Sequence, residues 1–401
     1  MKFAHLADVH VGAWRDPAMK GLSLEALRRA VANMIERRVD FVIIAGDLFN
    51  TAVPAIDHLQ ETVVLLKKLR DAGLPVYVVP GSHDYSAAGK TILDVLEELE
   101  LIHIVMKGSV EDGKLTLSFT RDERTGVKLT GIGGRKGSLE QKEYAALDLA
   151  SLESEPGEKI FLFHTSIEEL KPPEMYAMLS VSINEFPRGF DYYAGGHVHV
   201  VQKEDFPGRP NVIYPGPIFP ANFQELWNLG RGGFYIYDNG ELEHVPITVK
   251  TAFKIDVSAE SRTPEDIESE LASKVRGKQF SGGIVMVRVH GKLRSGKPSD
   301  IDFRSLFQEI YNNGAYFAMR STTRLTSEEF DDSRVSEGSA EELEHELIHA
   351  HTASRKHKMQ DEPQLIRSLL TSLSDEQKDG EKKYEYDSRM SKEADSLLTN
   401  Y

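Results

Sequence analysis

Five short stretches of the chain bring carboxylates and imidazoles together: Asp8-Val9-His10, Gly46-Asp47, Gly81-Ser82-His83-Asp84, His164, and Gly196-His197-Val198-His199. These donor types suit divalent metals such as manganese, iron and zinc, and there are enough of them for two metal sites. Each stretch alone is weak, because an Asp-x-His arises by chance and a lone histidine is more often a satisfied structural residue. In this order, within one predicted domain, they form a strong signal. Skipping one residue aims both side chains of Asp8/His10, or of His197/His199, at a common centre if the segments are extended. Two cations about 4 Å apart acidify a water and neutralise oxygens that gain charge.

Such residues need a rigid frame. The first hundred positions alternate short β-rich runs with amphipathic segments, the pattern of a layered α/β fold. Strands are predicted over 3–7, 41–45 and 75–79, each running into one of the motifs. Leu24, Leu27, Val31 and Ile35 recur at helical spacing behind Ser23, read as the N-cap, and further helices are expected over 55–70 and 91–99. Strands over 128–132, 160–163, 192–194, 212–214 and 233–237 continue the series, and alternation over 241–249 closes a hairpin. The motifs therefore sit at the C-terminal ends of strands, where open α/β sheets gather ligands. Past residue 250 the pattern restarts as a small α+β unit, with strands over 253–257, 284–289 and 316–320 and helices over 264–274 and 303–312.

Composition narrows the class further. The chain has 401 residues, no cysteine, and 63 acidic against 48 basic residues, a net charge of -15. At that length two or more domains are expected. Disulfides, zinc-thiolate sites and cysteine nucleophiles are excluded. No apolar run approaches the roughly 18 residues of a membrane span, and the start lacks a signal-peptide core, so a cytoplasmic protein is expected. Bulk electrostatic coating of nucleic acid is disfavoured, leaving local basic patches or bound cations to meet phosphate. The segment from Asp331 onward carries seventeen acidic and ten basic residues with no strand run. Helical patterns there cover 340–350, 364–373 and 391–398, with apolar stripes that a partner would cover.

The motif order resembles the calcineurin-like metallophosphoesterases, whose pattern is D-x-H, GD, GNH[DE], a lone H and GHxH. Within them the opening Lys2-Phe3-Ala4-His5-Leu6-Ala7-Asp8-Val9-His10-Val11-Gly12, the block Gly46-Asp47-Leu48-Phe49 and Tyr214-Pro215-Gly216 are similar to the double-strand-break-repair nucleases called SbcD in bacteria and meiotic-recombination-eleven in archaea and eukaryotes. The resemblance covers residues 1 to about 240 by motif and the remainder only by position and length. It implies a layered β-sandwich metallophosphoesterase domain flanked by helices over 1–250, a small α+β DNA-facing cap domain over 251–328, and an acidic linker with a helical partner-binding segment over 329–401. It implies that Asp8, His10, Asp47 and His199 hold one metal and Asp47, Ser82, His164 and His197 the other. Asp47 would bridge, and His83, oriented by Asp84, would serve the scissile phosphate. Manganese is the implied metal. DNA ends, single strands and hairpins are the implied substrates of a nucleoid-associated enzyme. An SbcC-type coiled-coil ABC ATPase is the implied partner, and a homodimer, joined through the helices after Asp47 and Pro80, the implied assembly.

Two positions depart from the family pattern. Ser82 stands where asparagine is expected, and a hydroxyl is a shorter and poorer ligand. Asn50 stands where the nuclease branch has histidine, at a position linked to the handling of duplex ends. A catalytically weak end-tethering subunit, or a phosphoesterase acting on nucleotides or phosphoproteins, is the rival reading. His345 and His349 share a helical face at metal-ligand spacing, although a solvated face is the stronger prior. His290, Lys292, Arg294 and Lys297 suit either DNA phosphates or an exposed hairpin. Core packing is favoured over base stacking for Trp14 and Trp227.

Overall fold

The computed structural model describes residues 1–85, 90–171, 178–328, 362–373 and 383–399. In the first unit (Met1–Ser258, Glu268–Val289, Asp302–Thr323) strands β1 (Lys2–Leu6), β2 (Phe41–Ala45), β3 (Val76–Val79) and β4 (His103–Ile104) run parallel. A small hairpin, β5 (Gly108–Glu111) and β6 (Lys114–Leu117), leads to β7 (Thr120–Arg121), β8 (Lys128–Ile132), β9 (Lys159–His164), β10 (Tyr192–Gly196), β11 (Val201–Phe206) and β12 (Arg209–Pro215). The chain then returns to the first sheet through β13 (Gly232–Asp238) and β14 (Glu241–Ile247). The two six-stranded sheets have orders β14-β13-β1-β2-β3-β4 and β11-β12-β10-β9-β8-β7.

Alternation along the strands explains the layers. Phe3, Phe41 and Ile43 share one buried cluster with Ile160, Leu162, Tyr192 and Ile213 of the second sheet, and this cluster is the filling of the sandwich. Their neighbours Ala4, Leu6, Val42 and Ile44 face the other way, against Leu27 and Val31 of the helix Leu22–Arg37 and Leu65, Leu66 and Leu69 of the helix Ile56–Asp71. Phe161 and Phe163 cover the opposite outer face with Phe186, Phe190 and Leu152. Both faces of these strands are buried, so they read as unbroken apolar runs. The layered α/β sandwich expected from the sequence is the fold that forms.

The helix Leu22–Arg37 begins two residues earlier than its sequence suggests. Its N-cap is Gly21, and Ser23 lies inside the first turn, where its buried Oγ accepts the Gly12 N–H at 3.3 Å. Burial made the hydroxyl serve the loop after β1. By contrast, Thr91 does cap the helix Ile92–Glu98 in a reciprocal box with Asp94.

The first unit also contains β15 (Ala252–Ser258), the start of β16 (Ile284–Leu293) and β17 (Phe317–Ser321), with the helix Phe303–Asn312 burying Phe303, Leu306 and Ile310. Arg288 on β16 clasps Asp256 on β15 through two bonds of 3.1 and 2.8 Å. In the second unit (Ala259–Ile267, His290–Ile301, Arg324–Tyr401) the end of β16 pairs in parallel with β18 (Leu325–Ser327). Helices Glu362–Leu373 and Lys383–Thr399 also belong to it, joined by a 3.0 Å bond from Ser372 Oγ to Glu393 and burying Leu365 and Met390. Two of the three helices expected in the tail are therefore present. The third, over 340–350 with His345 and His349, lies outside the described residues, as does Asp331. Among the described residues no helix is long and apolar enough to cross a membrane.

Candidate metal centre

All five motifs converge where β1, β2, β3, β9 and β10 end. Convergence does not come from extended segments. Asp8, His10, Asp47, His197 and His199 all have positive φ, of 52°, 44°, 53°, 104° and 52°. Left-handed backbone at non-glycine residues costs on the order of 1–3 kcal/mol each and clusters at functional sites. Here the reversal turns each strand end sharply enough to bring side chains from two sheets to one point.

Carboxylates fasten these turns. Asp8 accepts the His197 N–H at 3.0 and 3.2 Å, tying β1 to β10. Asp47 Oδ1 accepts the His83 N–H at 2.8 Å. Its other oxygen lies 3.5 Å from His10 Nε2 and 3.3 Å from His164 Nε2. Asp84 is fully buried and accepts the amides of Gly81, Leu48 and Phe49 at 3.0, 3.2 and 3.1 Å. It therefore does not orient the His83 ring as expected, since backbone amides occupy its carboxylate. The Asn50 carbonyl takes that role, accepting from His83 Nδ1 at 2.8 Å, which leaves Nε2 of this exposed ring as the acceptor nitrogen.

The imidazoles are arranged for a cation. His164 Nδ1 donates to the Ala45 carbonyl at 2.9 Å, which leaves Nε2, buried 3.3 Å from Asp47 Oδ2, as the nitrogen that faces the site. His10 Nε2 and His199 Nε2 approach to 2.9 Å. His199 Nδ1 is paired with Glu225 at 2.9 Å. One ligand atom each from Asp8, His10, Asp47 and His199 lies within 4.8 Å of the others. Of the second set, Asp47 and His164 adjoin directly and the His197 ring lies 5.1 Å from that of His164. Ser82 lines a cleft of about 440 Å³ with His83, His197, Asn50, Arg135 and Lys136. Imidazole nitrogens gathered on buried carboxylates are the donor set that a divalent metal fits.

Electrostatics divide the histidines. Burial, with neighbouring imidazoles, lowers His10 and His197 to about 3. Burial also opposes charge on His164 and His199, but Asp47 raises the first to about 10, and Asp8 with Glu225 raises the second to about 9. Burial pushes Asp8 up, whereas His164 outweighs burial at Asp47 and pulls it down.

Several residues at the site were not singled out from sequence. Glu225 lies on the helix Phe223–Leu229 behind the N-cap Asn222, and the Asn-x-x-Glu spacing of a capping motif was its signal. The loop Arg135 to Ser138 walls the cleft, and a Cβ on the preceding Gly134 would meet His164 Cδ2 at 2.4 Å. Tyr214, by contrast, is buried in β12, its hydroxyl donating to Thr165 O at 2.8 Å and accepting from Ile167 N–H at 3.1 Å, so its role is structural. Trp227 is buried, and Trp14 Nε1 donates to Pro220 O at 2.9 Å, so both act in packing. His290, Lys292, Arg294 and Lys297 lie in the second unit.

A two-sheet α/β sandwich with this cluster at its strand ends defines a class: the chain matches the calcineurin-like phosphoesterases over residues 1–201 and belongs to that family. It is also similar to named relatives. It is 26% identical over 321 residues to the DNA double-strand break repair protein Mre11 of Archaeoglobus fulgidus, covering 75% of this chain and 70% of that one. It is 27% identical over 319 residues to the Methanopyrus kandleri protein of the same name, covering 75% and 67%. An uncharacterized metallophosphoesterase of Bacillus subtilis is 24% identical over 259 residues, covering 61% and 59%.

Proposed function

We propose that this phosphoesterase is the nuclease subunit of a DNA double-strand-break repair complex, processing DNA ends by 3'-5' exonuclease and single-strand endonuclease action. The observation that carries a two-metal reading is Asp47 Oδ2, placed between His10 and His164 at 3.5 and 3.3 Å, where one carboxylate oxygen serves both proposed sets. The names of the archaeal relatives supply the DNA substrate. Asp8, His10, Asp47 and His199 would hold one metal, and Asp47, Ser82, His164 and His197 the other, with manganese the proposed ion. When bound, such ions activate water and neutralise phosphate charge. His83 opens on the cleft with Nδ1 spent on the Asn50 carbonyl, so Nε2 is the nitrogen that would take up a proton and, in the imidazolium form, contact the scissile phosphate or pass that proton to the leaving oxygen. Lys136 borders the same cleft and suits a neighbouring phosphate.

Residues 1–250 are the proposed nuclease domain and 251–328 the cap that faces DNA. Residues 329–401 would dock on a coiled-coil ABC-type ATPase of the SbcC kind. A homodimer, working at the nucleoid, completes the reading. A second reading, a subunit that tethers ends and cuts weakly, is favoured by Ser82, whose hydroxyl is shorter than the expected carboxamide.

The deciding experiment is manganese-dependent cleavage of linear duplex and single-stranded DNA by the full chain. His83→Ala is expected to abolish cleavage while leaving metal stoichiometry at two. No wild-type cleavage with two metals bound would favour the tethering reading. A large gain from Ser82→Asn would show that the natural site is impaired.

A further inference from the structure

His199 has two ring nitrogens, and the structure commits both. Nε2 faces the Asp8, His10 and Asp47 group. Nδ1 faces Glu225 Oε1 at 2.9 Å. The carboxylate cannot easily turn away. Its second oxygen, Oε2, accepts the Ala221 N–H at 2.8 Å, and the Asn222 side-chain amide donates to Oε1. Asn222 Oδ1 in turn caps the helix by accepting the Glu225 N–H at 3.0 Å. That helix is braced on its other side. Phe223 stacks on Trp227 with centroids 5.7 Å apart, and the Arg288 guanidinium lies 4.1 Å from the Trp227 ring centre. The Trp14 bond to Pro220 secures the approach to Ala221 from the segment that follows His10.

We propose that Glu225 is a positioning residue for His199: it accepts the Nδ1 proton, presents Nε2 with its lone pair towards Asp8 and Asp47, and so sets the affinity of that metal site. The inference rests on the two-metal reading above. The ring anchors of His164 and His83 are the backbone carbonyls of Ala45 and Asn50. Glu225 does the same work with a charged side chain, which also makes the imidazole a stronger donor. Partners of this kind are worth roughly 10–100-fold in metal affinity.

Calorimetric titration of the metal-free full chain with manganese tests this, comparing wild type, Glu225→Gln and Glu225→Ala. Glutamine keeps an acceptor and loses the charge, and alanine loses both. The expected result is two sites, of which one weakens about 10-fold with glutamine and up to about 100-fold with alanine. The other should be unchanged, as should the unfolding midpoint of the metal-free protein with glutamine. A purely structural Glu225 would instead lower the midpoint and weaken both sites together, which overturns the proposal. So would wild-type affinity in both variants. If wild type itself binds no metal, the two-metal reading fails first and this inference falls with it.

Discussion

Two buried side chains show how much the site depends on groups that never meet a metal or a substrate. Asp84 satisfies three amides of the loops that carry Asp47 and His83. Removing an ionised acceptor leaves those donors orphaned inside the protein, at a cost on the order of 3 kcal/mol. Asp84→Ala is therefore expected to lower stability by about that much in urea unfolding and to loosen manganese binding by displacing Asp47. His5 makes a different prediction. It is fully buried, with Nδ1 3.0 Å from the Tyr192 hydroxyl, and burial lowers its pKa to about 3. The unfolded chain binds the proton more readily, so His5 costs nothing above pH 6.5 and removes stability as pH falls towards 3. At pH 5 the loss is about 2 kcal/mol. In metal-free urea unfolding, the drop in stability between pH 7.5 and pH 5 should be smaller in His5→Gln by about that amount, and an unchanged drop refutes the assignment. The candidate ligands were legible in the sequence because metal chemistry restricts residue type. Asp84's true partners were not, because they depend on the turn at Asp47, whose positive φ no spacing rule reports, and the Asn-x-x-Glu spacing at Glu225 marks a helix start without pointing to His199.

At the level of elements, legibility followed length and burial. The strands β1, β2, β9 and β10 were read almost to the residue, because burial on both faces leaves them as unbroken apolar runs. The two-residue strands β4 and β7, and the helices Gln141–Ala145, Leu149–Ser154 and Phe223–Leu229, were missed. Elements of five to seven residues complete too few helical turns to show a period, and tertiary contacts hold them. The turns between strand and motif are where sequence and structure meet most tightly. Gly46 has φ of +86°, and a Cβ there would lie 2.1 Å from His164 Nδ1, the nitrogen bonded to Ala45 O. A Cβ on Gly81 would strike Asp47 Oδ1 at the same 2.1 Å. Gly46→Ala is accordingly expected to cost about 1–3 kcal/mol in strain and to weaken manganese binding. Unfolding with and without manganese separates the two effects, and a variant with wild-type affinity would show that the His164 ring has room to move.

For the whole molecule, the acidic balance of -15 and the small number of cleft cations give one chain little hold on DNA. Pairing two chains would double the phosphate-facing surface. The first unit carries exposed apolar side chains on the helices where such pairing is proposed. Ile56 and Val64, on the helix after Asp47, are 83% and 44% exposed, and Val53 just before it 86%. Val95 and Leu99, at the helix after Pro80, are 51% and 52% exposed. Isolated apolar residues on a surface need no explanation, but several on the two helices flanking one site are what a self-association face requires. Sedimentation of the full 44.9 kDa chain is expected to give twice that mass. The double variant Ile56→Glu, Val95→Glu should sediment as a single chain, because each dimer would bury two carboxylates beside their copies. Its manganese stoichiometry should stay at two per chain, since neither residue touches the Asp8 or Asp47 clusters. A wild type that sediments as one chain removes the dimer from the reading. A variant that remains a dimer moves the interface elsewhere on the molecule.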